Sequence, residues 1–298
     1  MDKEQIVKII SENRPSLAPA SIKTYYSIIS NLMRKLNTEE PDFFIKSYDK
    51  VLEQLQDEAP RKRKTILSAV IVFSEKIKDS EEALKKYRDK MNTDADTAKA
   101  EIFKNQKTEK QLKNWLSFDE IKKIYEKLEK SVSHIWNMEN IDMYNLQKLQ
   151  QYIILSLYIL IPPRRLLDFI EMKTKNYNKN DDNYVDKNDL VFNIYKSAKY
   201  YGKQTIEMPD KLLKIINKWK KLNPTDYLII DNNFQKLTQP QLTQRLNKAF
   251  DKKISASMLR HIFISTEVLP ENIDLGKMNK ISEEMGHNIL QQLQYKKN

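Results

Sequence analysis

Ser257-Met258-Leu259-Arg260-His261, followed by Met285-Gly286-His287 and then by Tyr295, is the stretch on which the reading of this chain turns. Two of its three histidines fall inside these short segments. Working back toward the start, the sequence offers two further groups that belong with them. One is the lysine-rich run Lys196-Ser197-Ala198-Lys199-Tyr200-Tyr201-Gly202-Lys203; the other is Pro162-Pro163-Arg164-Arg165-Leu166-Leu167-Asp168-Phe169. Read in chain order, they give an arginine, a lysine, a second arginine, a histidine and a tyrosine.

Composition narrows what such a set can act on. Lys and Arg number 52 against 41 acidic residues, a net charge of +11 spread over both halves, which favours a polyanion over a neutral small molecule. With 298 residues and 40% apolar content, the chain can bury a sizeable core and form two domains. There is no cysteine, so disulfides, zinc fingers and thiol nucleophiles are excluded. Glycine occurs only at 202, 276 and 286, which leaves no Walker loop and no dinucleotide fingerprint. No ATP or NAD cofactor is expected. Met1-Asp2-Lys3-Glu4-Gln5-Ile6 does not read as a signal peptide. The strongest apolar run, Ile153 to Ile161, is far shorter than the roughly 20 residues that span a bilayer, and Pro162-Pro163 closes it. It reads as a buried helix, and no membrane partner is expected.

Periodicity divides the chain. Ile22, Tyr25, Tyr26, Ile29, Leu32, Met33 and Leu36 repeat at helical spacing after Ser21, read as the cap, and further amphipathic stretches centre on 43–55, 66–77 and 81–90. The cluster Arg61, Lys62, Arg63, Lys64 opens the second of these, either as a solvated helix face or as a set of phosphate contacts. Residues 91–117 are polar and read as a linker. Ser117 and Glu120 then have capping-box spacing, opening a helix through Ile121, Ile124, Tyr125 and Leu128. Asp189 to Tyr195 and Gln204 to Met208 read as strands joined by a turn around Tyr200-Tyr201-Gly202, and helical patterns return at 212–222, 242–250, 258–268 and 281–293. The expectation is a mainly α chain: a helical domain over 1–90, a linker over 91–117, and a mixed α/β domain over 118–298 with a small antiparallel sheet.

The ordered motifs resemble those of the tyrosine recombinases, the family of phage-type integrases and Xer-like resolvases. The resemblance covers roughly residues 118–298, with a looser likeness of Leu17 to Tyr26 to the opening of the family's helical core-binding domain. Pro162-Pro163-Arg164-Arg165 is similar to versions carried by large DNA viruses and their satellites. In the family an arginine stands in an Arg-x-x-Glu-Leu motif; Arg165-Leu166-Leu167-Asp168-Phe169 matches it with aspartate for glutamate, Arg164 being the rival. The resemblance implies that Arg165 binds the scissile phosphate and that Asp168 orients it. A guanidinium grips two phosphate oxygens and stabilises charge that builds in the transition state. The family's lysine, on a β-hairpin turn, donates a proton to the departing 5′ oxygen, and Lys199 is the position that corresponds, among three lysines nearby. The family's His-x-x-Arg motif aligns with Ser257 to Arg260, serine replacing histidine; His261 takes a supporting place beside it. His287 matches the position that hydrogen-bonds the phosphate.

Tyr295 is then the nucleophile, a phenol of pKa near 10 that needs arginines to draw charge from the phosphate. The implied activity is site-specific recombination or integration of double-stranded DNA through a 3′-phosphotyrosine, without metal or ATP, by four protomers on two DNA sites. It would act in the cytoplasm or nucleus, wherever the target DNA lies, and is not secreted. Two alternatives stand beside it: a topoisomerase IB-like or telomere-resolving enzyme, and a sequence-specific DNA-binding protein of the same fold that no longer cuts. Ser257 favours the last, because a hydroxyl cannot act as a base near neutral pH.

Overall fold

The computed structural model of the chain describes residues 1–268 and 275–297. It comprises two compact units, Met1–Lys104 and Asn105–Asn298.

The first unit is helical throughout: α1 (Lys3–Asn13), α2 (Pro19–Lys35), α3 (Phe43–Lys46), α4 (Tyr48–Gln54), α5 (Pro60–Ser74) and α6 (Glu81–Phe103). Asp2 and Gln5 cap α1 reciprocally. Ser21 is not the cap of α2: the helix begins at Pro19, whose fixed φ suits a first turn and whose missing N–H is no loss there. The apolar faces meet around Ile10, Ile29, Phe44, Leu67, Val70 and Phe73, with the Phe44 and Phe73 rings edge to face at 5.6 Å. Tyr87 is sealed inside and donates to Phe44 O at 2.6 Å. Burial pushes its hydroxyl well above the usual range.

The basic cluster at the start of α5 separates into distinct environments. Arg63 turns inward, where its Nε and Nη2 each lie 2.7 Å from a carboxylate oxygen of Asp94 and its Nη1 donates to Gln56 O at 2.7 Å. It is therefore withdrawn from the set of candidate phosphate contacts, since the pair is buried and its donors are spent. Lys62 pairs with Glu58 at 2.6 Å, while Arg61 and Lys64 are exposed. The same ion pair explains why the polar stretch read as a linker is helical. α6 continues to Phe103 because Asp94, on its second half, is bound to α5. A short helix, α7 (Glu109–Asn114), comes next under a Thr108–Gln111 capping box.

The second unit opens on α8 (Phe118–Val132), where Ser117 and Glu120 form the expected capping box. α9 (Met143–Ile159) is buried on nearly all sides from Leu149 to Tyr158. α10 (Leu166–Ile170) leads into β1 (Met172–Lys173), β2 (Asn183–Asp186), β3 (Asp189–Phe192), α11 (Ala198–Tyr201) and β4 (Gln204–Glu207). The sheet runs in the order β1-β2-β3-β4. Its last three strands are antiparallel, as expected, and the short β1 adds a parallel edge. β3 ends at Phe192, three residues before the strand read from sequence. The amides of Asn193 and Ile194 instead donate to Asn183 Oδ1, so they are lost to β4. Then come α12 (Asp210–Leu222), α13 (Gln239–Phe250), α14 (Ala256–Phe263) with a π turn over Ile264–Val268, α15 (Leu275–Glu284) and α16 (Ile289–Tyr295). The helical pattern at 281–293 is two helices, because Gly286 has φ +66° and Asn288 caps a new start by accepting from Gln291 N.

Replacing Asp94 by alanine would leave Arg63 buried without a counter-ion, at a cost of roughly 3–5 kcal/mol, which denaturant unfolding followed by hydrogen exchange in residues 1–104 would read. The Arg63 guanidinium holds the Asp94 carboxyl below its ordinary value. Its contribution is therefore present above the unfolded carboxyl pKa of about 3.9 and lost as pH falls through the lower folded value. An Asp94→Asn chain should lose stability less steeply in acid.

Candidate active site

Three arginines converge on one turn of backbone. After α9 the residues Pro162 and Pro163 prevent helix, and Arg165 reaches the N-cap of α10 in extended conformation, φ −74° and ψ 158°. The neighbouring guanidinium groups diverge. Arg164 is fully buried: its Nε donates to Asp168 Oδ2 at 2.8 Å, its Nη2 to Gln204 Oε1 at 3.0 Å, and its Nη1 to Glu284 O at 2.6 Å. Its flat face lies 3.9 Å from the centre of the Phe192 ring. Arg165, half-buried, donates to Gly286 O at 2.9 Å. Arg260, on α14, donates from Nη1 to Met285 O and Pro163 O, each at 2.9 Å. The consecutive carbonyls of 284, 285 and 286 thus each accept from a different arginine. They are the carbonyls that a helix leaves unpaired at its C-terminus, where cations are also favoured.

Gly286 is required in that turn. Its φ of +66° is the left-handed region, and a Cβ there would stand 2.9 Å from Arg164 Nη2. The turn delivers His287, which is 2% exposed. Arg260 Nη2 lies 2.6 Å from His287 Nδ1, and a guanidinium only donates, so Nδ1 is the acceptor and Nε2 carries the proton. Burial, with Arg260 and Arg165 adding to it, pushes the His287 pKa down to about 3, and the ring is neutral at working pH. Among the described residues its Nε2 makes no hydrogen bond of good geometry, nor do Arg260 Nε and the two amide atoms of Gln292, a fully buried side chain of α16, although the Gln292 side chain lies close to His287 and the Tyr295 side chain to Arg260.

Tyr295 lies at this spot. Its ring centre is 4.7 Å from the Arg260 guanidinium carbon and 5.5 Å from the His287 ring. The adjacent His261 also contacts Tyr295, with its ring centre 4.8 Å from the phenol ring and its Nδ1 2.7 Å from Tyr295 O. Burial lowers the pKa of His261. Neither Arg165 nor Arg260 has an ion-pair partner among the described residues, whereas Arg164 is neutralised by Asp168. The arrangement is a cationic receptor with buried, unspent donors, covered by a phenol.

The structure brings together Arg165, Arg260, His261, His287 and Tyr295, which the sequence spreads over 131 positions, from 165 to 295 inclusive. Three expectations change. Asp168 orients Arg164 and not Arg165, because α10 turns its carboxylate into the interior, where burial pushes its pKa up against the pull of Arg164. Lys199 is not on a tight hairpin turn: it is exposed on α11, inside the connection 193–203, with Nζ 4.8 Å from the Tyr200 ring centre. That connection is held near the cluster by Ser197, whose Oγ is 3.5 Å from Gly286 O, the outer limit of a hydrogen bond. Ser257 is exposed, one turn before Arg260, and makes no hydrogen bond to the described residues; the cap of α14 is Ser255.

Arg164, Gln204 and Gln292 were not foreseen in their roles. For Gln292 a signal was present, a polar side chain on the buried face of a short helix; for Gln204 there was none.

No family model and no curated protein matches the chain. Among solved structures it is similar to a lambda integrase dimer bound to a COC′ core site, at 14% identity and a TM-score of 0.50, covering 98% of this chain and 93% of that one. It is also similar to XerA recombinase, at 16% identity and a TM-score of 0.44, covering 98% and 92%. A lambda integrase tetramer bound to a Holliday junction gives 16% identity and a TM-score of 0.47, covering 97% and 75%. The likeness to the integrase dimer is one of fold: mainly helical with a small mixed sheet, the architecture of tyrosine recombinase catalytic domains.

Two measurements test the geometry. Gly286→Ala forces a side chain into a left-handed position against Arg164 and should cost roughly 1–3 kcal/mol in unfolding free energy. In NMR titrations the His287 ring should stay neutral from pH 8 to 5. Its folded pKa of about 3 lies below the unfolded value of 6.5, so the unfolded chain binds more protons between them. The contribution of this group is full above pH 6.5 and declines as pH falls toward 3.

Proposed function

We propose that the chain is a site-specific DNA recombinase or integrase that breaks and rejoins strands through a 3′-phosphotyrosine. The observation that carries this reading is the pair of buried donors, Arg260 Nε and His287 Nε2, which lack a hydrogen-bond partner among the described residues, beside Tyr295 and an Arg165 without an ion pair there. Buried donors without partners are costly, and a ligand with several acceptor oxygens relieves that cost. A phosphodiester is such a ligand, and the net charge of +11 favours its polymer.

In this mechanism Arg165 and Arg260 bind the non-bridging oxygens and His287 Nε2–H hydrogen-bonds one of them. Tyr295 is partly exposed; its Oη attacks phosphorus in line and gives its proton to solvent water as the new bond forms, and the bond to the 5′ oxygen breaks. Lys199 is the proton donor to that oxygen, as the resemblance implies; its amine is exposed, and its segment brings Ser197 Oγ to 3.5 Å from Gly286 O. The phosphotyrosine keeps the energy of the broken bond, so a 5′-hydroxyl reseals the strand without ATP, and arginines supply the charge that a metal would otherwise bring. Exchanging strands between two duplexes needs one nucleophile for each of four strands, hence four protomers. Unit 1, with Arg61 and Lys64 exposed on α5, would contribute non-specific grip. The likeness of Pro162 to Arg165 to forms carried by large DNA viruses and satellites fits integration of a mobile element. Ser257, exposed and unengaged, supports the second reading, a DNA-binding protein that does not cut.

The test is a denaturing gel for a covalent protein–DNA adduct on nicked duplexes from the element's own ends. A wild-type adduct insensitive to EDTA, absent in Tyr295→Phe and slowed about 10²–10³-fold in Arg260→Ala, supports the enzyme. Specific binding without adduct supports the silent binder. Affinity should fall steeply with salt.

A further inference from the structure

Helix α16 is short and poorly anchored by apolar contact. It spans Ile289–Tyr295; Leu290 is 71% exposed and Leu293 39%, and the one fully buried side chain is the polar Gln292. A helix of that length is not stable alone, so specific contacts must fix where Tyr295 sits. Beside the packing of the Tyr295 ring on Ile264, Val268 and Met285, two hydrogen bonds hold the main chain there. His261, on α14, and Ser265, one turn later in the π turn, address the backbone on either side of Lys296. His261 Nδ1 is 2.7 Å from Tyr295 O, and Lys297 N–H donates to Ser265 Oγ at 2.8 Å. A carbonyl only accepts, so His261 carries its proton on Nδ1. Tyr295 O belongs to the last turn of α16, where carbonyls lack intrahelical partners. π turns recur at functional sites because the extra residue redirects the side chains after it; here it carries Ser265 under the chain leaving Tyr295.

We propose that His261 and Ser265 form a backbone clamp that places Tyr295 for attack, which makes both of them positioning residues for the nucleophile. Its hydrogen bonds go to main chain only, while the His261 ring lies 4.8 Å from the Tyr295 ring, so the clamp fixes the tyrosine without taking a hydrogen bond from its hydroxyl. It also lies next to Arg260, so the helix that presents the phosphate-binding arginine sets the distance to the tyrosine. The inference rests on the recombinase reading for its catalytic consequence, but the clamp itself is a property of the fold.

The test uses the full chain with His261→Phe, which keeps a ring and removes the donor, His261→Asn, which restores a donor near the same place, and Ser265→Ala. Two readouts are taken: the single-turnover rate of adduct formation at saturating nicked duplex, with Kd measured separately, and amide exchange in the peptide 289–297. His261→Phe and Ser265→Ala should slow the adduct about tenfold to a hundredfold with Kd changed less than about twofold, and should lose protection at 289–297; His261→Asn should keep both. Wild-type rates and wild-type protection in His261→Phe and Ser265→Ala would overturn the proposal, as would His261→Asn behaving like His261→Phe. If no protein forms an adduct, the recombinase reading fails, and exchange alone decides the clamp: equal protection in all four chains overturns it.

Discussion

The C-terminus of α15 is what the site is built on. Glu284, Met285 and Gly286 present three successive carbonyls, and Arg164, Arg260 and Arg165 each take one. A helix end would ordinarily give these oxygens to water. Here they fix the direction of three long, flexible side chains, two from the connection between α9 and α10 and one from α14. Placing a guanidinium before a ligand arrives removes much of the entropy that binding would cost. The left-handed Gly286 stems from the same constraint, because the turn must close against Arg164 with no side chain between.

The charge balance has the same origin. Three guanidinium groups share one carboxylate, Asp168, and Asp168 is committed to the innermost of them. Burial works against the charge of Arg260, and neither it nor Arg165 has an ion-pair partner among the described residues, so both keep a demand for a negative partner. His287 adds no charge, since Arg260 holds its Nδ1 and burial keeps it neutral; it contributes a donor aimed from a fixed ring. Tyr295 lies over Arg260. Electrostatic demand, oriented donors and a phenol thus meet in one place.

The arginines show where sequence reading stops. Arg164 and Arg165 are neighbours of one residue type, and motif spacing pointed to Arg165 as the outward one and Arg164 as the rival. The contacts assign Arg164 to the interior, but that depends on Gln204 of β4 and Glu284 of α15, both remote in sequence. The same spacing linked Asp168 to Arg165, because it records distance along the chain and not which way α10 faces. Arg63 is the parallel case: a run of four basic residues looks uniform as a string, yet a buried Asp94, 31 positions on, selects one of them.

By itself the sequence determined the helical character of the chain, the buried helix closed by two prolines, the capping box at Ser117, the cationic balance and the ordered set of arginine, histidine and tyrosine. These are local or additive properties: periodicity, turn chemistry and summed charge are written within a few residues or over the whole chain. Tertiary structure alone decided which cations stay free, which carbonyls they hold and which backbone groups restrain Tyr295. Such pairings join residues up to 121 positions apart, as Arg165 and Gly286 are. Their energies depend on burial and direction, and both arise only when the helices pack.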